Sequence, residues 1–180
     1  MKRIVVLLLA VLLEVFLCSC TSKGENMVKN NDQQIVNSHF DRILTSIQNH
    51  DKEALVSAFT QDYHAESNLS DETIKRLFEY FDGEVDEYND WGGPYVETTK
   101  ENGQVVQIAE ATYDVKTTVC EYRFAIRFFL QNTVNPKHIG IESLYIIKAA
   151  EDIDISYAYW GDGAYTPGIN IGIPNSVSYS

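Results

Sequence analysis

The sequence predicts an α+β fold, three helices followed by a long antiparallel meander. Two observations carry that expectation. Up to Gly83 the apolar residues recur at the spacing of a 3.6-residue helix, and beyond it they alternate with period 2. The strand half also contains a pairing register that satisfies side-chain charge and volume together.

The elements follow in order. Thr21 to Asn31 (TSKGENMVKNN) is polar without periodicity and reads as a flexible tether. From Asp32, a good N-cap, Ile35, Val36, Phe40, Ile43, Leu44 and Ile47 fall on one helical face, and that helix should end near His50. Asp51 then caps a shorter helix carrying Ala54, Leu55, Ala58 and Phe59. Ser70 caps a third, where Asp71 and Glu72 favour the positive end of the dipole and Leu69 and Ile74 have staple spacing. Its buried stripe is Ile74, Leu77, Phe78 and Phe81, and Gly83 is placed to terminate it.

Val85 to Trp91 is the first predicted strand, broken by Gly92-Gly93-Pro94. Asn102-Gly103 is a strong hairpin signal between Tyr95–Thr99 and the strand starting at Gln104. A reversal centred on Thr118-Val119 pairs Asp114 with Arg123 and Glu110 with Arg127. It also sets Ala111 against Ile126 and Ala109 against Phe128, small against large. Thr and Val suit a primed turn poorly, which predicts a wider or bulged loop. Residues 139–148 (IGIESLYIIK), apolar on both faces, read as a central strand. Ile153 to Trp160 is the last expected strand, and the Gly-, Pro- and Ser-rich segment after it should be irregular.

The N-terminus carries a different signal. Met1-Lys2-Arg3 precedes an apolar run, Ile4–Leu13, whose ten residues fall well short of the about 20 a spanning helix needs. A basic start and a short apolar core lead to a small residue before a cysteine, the layout of a secretory signal. Leu17-Cys18-Ser19-Cys20 resembles the lipobox of bacterial lipoproteins. That resemblance implies cleavage before Cys20, acylation of its thiol and new amino terminus (palmitate being a typical chain), and a domain held at the extracytoplasmic face of a bacterial cell membrane. The expected organisation is a signal at 1–19, a lipidated cysteine and tether at 20–31, one domain at 32–165 and an irregular tail at 166–180.

Composition narrows the partners. The formal charge of −12 becomes −13 once Lys2, Arg3 and Glu14 leave with the signal. An acidic surface disfavours nucleic acid, which needs clusters of Lys and Arg. After Cys18 is removed and Cys20 acylated, only Cys120 remains, so there is neither a disulfide framework nor a Cys/His metal spacing. No cofactor or metal is expected.

Phe40, Leu44, Asn49-His50-Asp51, Ala54-Leu55 and Phe59 resemble the helical start of nuclear transport factor 2-like domains. In that fold the helices cross a strongly bent antiparallel sheet to make a cone with an internal cavity. Residues about 35–165 also resemble an uncharacterised family of bacterial lipoproteins carrying a domain of unknown function. That likeness is carried by LFEYFDGEVDEY at 77–88, Gly92-Gly93, EYRFAIRFF at 121–129, GIESLYIIK at 140–148 and YWGD at 159–162. The nuclear transport factor 2-like resemblance implies two further alternatives. One is a cavity acid/base enzyme of isomerase or dehydratase type, which needs an Asp or Glu buried beside Tyr or His. The other is a homodimer through the outer sheet face.

The residues themselves favour binding over catalysis. Aromatics with polar tips concentrate in the strand half, and Trp91, Tyr95, Tyr113, Tyr122, Tyr145 and Trp160 are the candidate ligand-binding residues. The competing reading of each is core filling. His39 and His64 read as a helix-edge and a loop histidine, and Cys120 as a small hydrophobe. Trp160-Gly161-Asp162 reads as a strand-ending turn. The Asp114/Arg123 and Glu110/Arg127 pairs read as cross-strand ion pairs on an exposed face. Were that face to line the concavity, the arginines would suit a carboxylate or phosphate ligand. The expected function is therefore a membrane-anchored lipoprotein that binds a small molecule or an envelope or protein partner without catalysis.

Overall fold

The computed structural model describes residues 23–63, 68–152 and 166–172, with side chains from Asn31 onward except Tyr63. The chain divides into two units, residues 1–35 and 36–180. The described part of the first is the opening of helix α1 (Lys23–Gln48). That helix starts at Lys23 and not at Asp32, so Asp32 is an interior residue and the polar segment before it is helical from Lys23. No proline interrupts Lys23–Gln48, and its Glu, Lys and Gln residues are good helix formers.

In the second unit, Val36, Phe40, Ile43, Leu44 and Ile47 of α1 are buried, as their spacing predicts. Asp51 caps α2 (Lys52–Ser57), its Oδ1 accepting the Ala54 N–H at 2.9 Å. Ser70 caps α3 (Asp71–Tyr80), its Oγ accepting the Thr73 N–H at 3.1 Å. Gly83 lies beyond the C-cap Phe81, at φ +86°, and does not terminate the helix directly. A β-carbon there would come within 2.9 Å of the side chains of Thr117, Thr118 and Val119, so these side chains pack directly on the Gly83 backbone.

Among the described residues the sheet has six strands: β1 (Val85–Asp90), β2 (Tyr95–Glu101), β3 (Gln104–Thr117), β4 (Glu121–Asn132), β5 (Gly140–Lys148) and β6 (Gly168–Ile171). Their order is β1-β3-β4-β5-β6, with β2 also on β3, and the sheet is curled but does not close. β1 and β2 lie end to end along one edge of β3. Between them Asp90 Oδ1 accepts the N–H groups of Gly92 and Gly93, at 3.0 and 2.8 Å. Asn102 (φ 50°) and Gly103 (φ 79°) form the β2–β3 turn, both left-handed as a type I′ hairpin requires.

The predicted β3–β4 register holds, with Asp114 opposite Arg123, Glu110 opposite Arg127, Ala111 opposite Ile126 and Ala109 opposite Phe128. The connection is tighter than Thr and Val led us to expect. One backbone bond, Thr117 N–H to Cys120 O at 2.9 Å, closes it. The Thr117 hydroxyl replaces the other, accepting from the N–H of Cys120 at 3.1 Å and of Val119 at 3.2 Å while lying 2.9 Å from the Asp82 carbonyl it donates to. A side chain thus supplies what a primed backbone turn would have supplied.

Two expectations are corrected at the other end of the sheet. β6 pairs parallel to β5, so the sheet is mixed and not wholly antiparallel. β6 also lies in the segment expected to be irregular. Asn68 fixes it there: the Ile169 N–H donates to Asn68 O at 3.2 Å, and Asn68 Nδ2 donates to Ile169 O at 2.7 Å. The expected strand at 153–160 and the Trp160-Gly161-Asp162 turn lie outside the described residues, as do Cys20 and His64. Among the described residues no helix is long and apolar enough to cross a membrane.

Candidate binding face

The strands of the sheet present two different faces, and alternation decides which side chain goes where. On the inner face Ala109, Ala111, Tyr113 and Val115 of β3 align with Tyr122, Phe124, Ile126 and Phe128 of β4, all buried. Phe40 of α1 stacks on Tyr113 with centroids 3.8 Å apart and meets Phe124 edge-on at 5.4 Å. Phe81 lies 4.7 Å from Tyr122. This face is filled.

Its tyrosines are satisfied locally. Tyr113 donates to Asn37 Oδ1 at 3.0 Å, and Tyr122 donates to the Tyr80 carbonyl at 2.9 Å and accepts the Asp82 N–H at 2.8 Å. Burial pushes both hydroxyls well above the usual tyrosine pKa, so they remain neutral. At the rim Tyr88 donates to the exposed Asp41 at 2.7 Å, and burial with the Asp41 carboxylate pushes it up to about 12.

The outer face carries the charges. Arg123 Nε lies 3.2 Å from Asp114 Oδ1 and its Nη1 2.8 Å from Asp152 Oδ2. The Asp152 hydrogen bond, with that of Asp114, holds the guanidinium above its usual pKa. The Trp91 ring centroid lies 5.3 Å from the same guanidinium, and Trp91 Nε1 donates to Asp114 Oδ2 at 2.8 Å. Four residues along the strand, Arg127 Nη1 lies 3.1 Å from Glu110 Oε1 and its Nε 2.7 Å from Glu142 Oε2. The second contact is off the N–H direction, so it is ionic more than a directed hydrogen bond. Between the two arginines Ala125, Tyr145 and Ile147 form a small buried cluster, and Tyr145 Oη accepts the Thr166 N–H at 2.6 Å.

Glu142 is on this face because of a bulge. Arg127 pairs with Ser143 but Phe128 with Ile141, so Glu142 is the extra residue and turns toward Arg127. Strict alternation from Leu144 and Ile146 would have put it on the inner face, and no signal in the sequence marks the bulge. Burial raises its pKa above the ordinary 4.5, while Arg127 and His138 oppose that shift. Asp152, near the end of the short 3-10 turn Ala149–Glu151 after β5, is the other partner that strand spacing did not point to.

The structure does not gather the predicted aromatics into one pocket. Tyr113 and Tyr122 are inner-face core. Trp91 packs on the outer-face ion pairs, Tyr145 lies between the arginines, and Tyr95 is exposed on the β2 edge, with 68% of its surface open. Trp160 is outside the described residues. His39 is half-buried near Phe128, and burial with the nearby Arg42 lowers its pKa. Cys120 is partly buried and packs against the core. The arginines also do not form an anion site. Each already holds two carboxylates, and an incoming phosphate or carboxylate would have to displace one. Among the described residues no three His, Cys, Asp or Glu side chains are grouped to hold a metal ion.

No curated protein matches the chain. Residues 42–149 match the family described as Domain of unknown function (DUF5104), from the C-terminal part of α1 to the end of β5 and the residue after it. That description assigns no activity, and the match stops short of β6. Because it covers more than half of the 180 residues, the chain belongs to this family.

Proposed function

We propose that this protein is a lipid-anchored lipoprotein of the bacterial extracytoplasmic face that binds a protein or envelope partner through its surface and performs no catalysis. The observation that carries the binding half is the filled inner face, where Phe40, Tyr113, Tyr122 and Phe124 have no solvent exposure. A small-molecule site of the enclosed kind needs room that these rings occupy. The tyrosines that an acid/base enzyme would use as donors are bonded to Asn37 and to the Tyr80 carbonyl, and the Asp41 beside Tyr88 is exposed. The nuclear transport factor 2-like reading is part of the same proposal. It is supported by the three helices that, among the described residues, precede a curled sheet, and by the Phe40 ring lying flat on that of Tyr113 in β3.

The anchoring half rests on Leu17-Cys18-Ser19-Cys20 behind a short apolar run. Each acyl methylene buried in a bilayer adds about 0.8 kcal/mol, so several chains on one cysteine hold firmly. The test is the mass of the N-terminal peptide after expression of the full chain in a bacterium. Expected is a chain that begins at Cys20 and carries acyl groups, with Cys20→Ala left unlipidated. A wild-type chain cut elsewhere, or uncut and without lipid, overturns the anchor. Native mass spectrometry of the same protein tests the binding half. A small-molecule adduct that survives buffer exchange and is lost on acid denaturation would restore the enclosed-site reading.

A further inference from the structure

A groove of about 180 Å³ opens between α3 and β6, lined by Asn68, Thr73, Arg76, Ile169, Ile171 and Gly172 among others. Its two walls differ in chemistry. The α3 wall carries Arg76, whose guanidinium makes no ion pair among the described residues although the chain has 26 acids against 14 basic residues. Its helix neighbour Lys75 takes Glu79 at 3.6 Å, and Arg123 and Arg127 each hold two carboxylates. The opposite wall is a strand edge. Asn68 occupies that edge at Ile169 with two hydrogen bonds. Alternation of a parallel strand turns the N–H and C=O of Ile171 to the same side, beyond the reach of that pairing. Ile169 and Ile171 add apolar surface.

A strand edge, an apolar strip and a lone cation in one groove define a ligand. We propose that this groove binds the C-terminal end of an extended peptide. The peptide backbone adds to β6 at Ile171, and the free carboxylate pairs with Arg76. Strand addition supplies backbone hydrogen bonds at an open edge, and the guanidinium fork matches a carboxylate in two contacts. Since liquid water takes about 30 Å³ per molecule, the groove has room for about six waters, the space of a terminal residue or two and not of a long segment. The inference deepens the surface-binding reading by naming a ligand chemistry, and it is independent of Cys20.

The test is titration of the full chain, held in detergent, with acetyl-Ala-Ala and with the same dipeptide as its C-terminal amide, read by calorimetry. Expected is binding of the acid, with the amide weaker by about tenfold or more, the size of one charge-assisted hydrogen bond. Arg76→Gln should weaken the acid by a similar factor and leave the amide unchanged, and Arg76→Lys should fall between. Arg76 is exposed, so these variants keep the fold, and the acid–amide comparison needs no variant at all. Equal binding of acid and amide, no change in Arg76→Gln, acetate binding as tightly as the dipeptide, or no binding of either peptide overturns the proposal. Failure here removes this site and leaves the anchor and the partner-binding reading to their own tests.

Discussion

The two faces of the sheet are made by the same strands and are held by opposite physics. On the inner face Phe40, Tyr113 and Phe124 pack ring on ring, and the buried tyrosine hydroxyls are hydrogen-bonded locally. On the outer face Arg123 and Arg127, each 22% exposed, are bracketed by Asp114, Asp152, Glu110 and Glu142. Shape and burial stabilise the first face, and neither involves a group that titrates near neutral pH. The second depends on charge balance and on a desolvated carboxylate. The lesson is that one period-2 pattern can build a face that resists change and a face that responds to it.

The comparison can be broken most forcefully from the inside. Phe40→Ala empties a site packed against Tyr88, Tyr113 and Phe124 and should cost about 3–5 kcal/mol in urea denaturation. A loss below about 1 kcal/mol would show that the ring stack contributes little. On the outer face Arg127→Ala leaves Glu110 and Glu142 without their shared cation and should cost about 2 kcal/mol. Partial exposure keeps this below the 3–5 kcal/mol typical of a fully buried pair. A sharp fall of the Arg127→Ala effect at low pH, with none for Phe40→Ala, would confirm the division between the faces.

The smallest effect is the most specific. The folded state holds the Glu142 proton more tightly than the unfolded chain, because its pKa lies above the ordinary 4.5. Its contribution is therefore fully present below that value and is lost as pH rises through the folded pKa. Glu142→Gln should flatten the stability profile over this window, so that wild type loses ground to the variant as pH increases from about 4 to 8. Denaturation midpoints across that range would decide it, and parallel profiles would show that Arg127 fully compensates burial.

Much of this was legible in the residues. Asp51 and Ser70 cap helices because a short oxygen-bearing side chain meets free N–H groups wherever a helix begins. The β3–β4 register was legible because Asp114/Arg123 and Glu110/Arg127 agree with two small-against-large pairs. The candidate aromatics were not separable in this way. Tyr113, Tyr145 and Tyr95 look alike in sequence, and which is core, which is outer-face filler and which is exposed depends on what packs against the strand.

The sequence by itself determined the caps of α2 and α3, the Asn102-Gly103 hairpin and the β3–β4 register. Each is set by a few neighbouring residues or by one repeating pattern, so local sterics and pairing suffice. Only the tertiary structure decided that β6 joins the sheet in parallel and that Glu142 faces Arg127. The ladder with β5 makes a strand of Gly168–Ile171 and Asn68 holds its other edge at Ile169, and both partners lie far away in the chain. A one-residue bulge reverses the alternation on which a pattern depends. Long-range pairing and register shifts leave no periodic trace, because their physical cause is a partner that the local sequence does not contain.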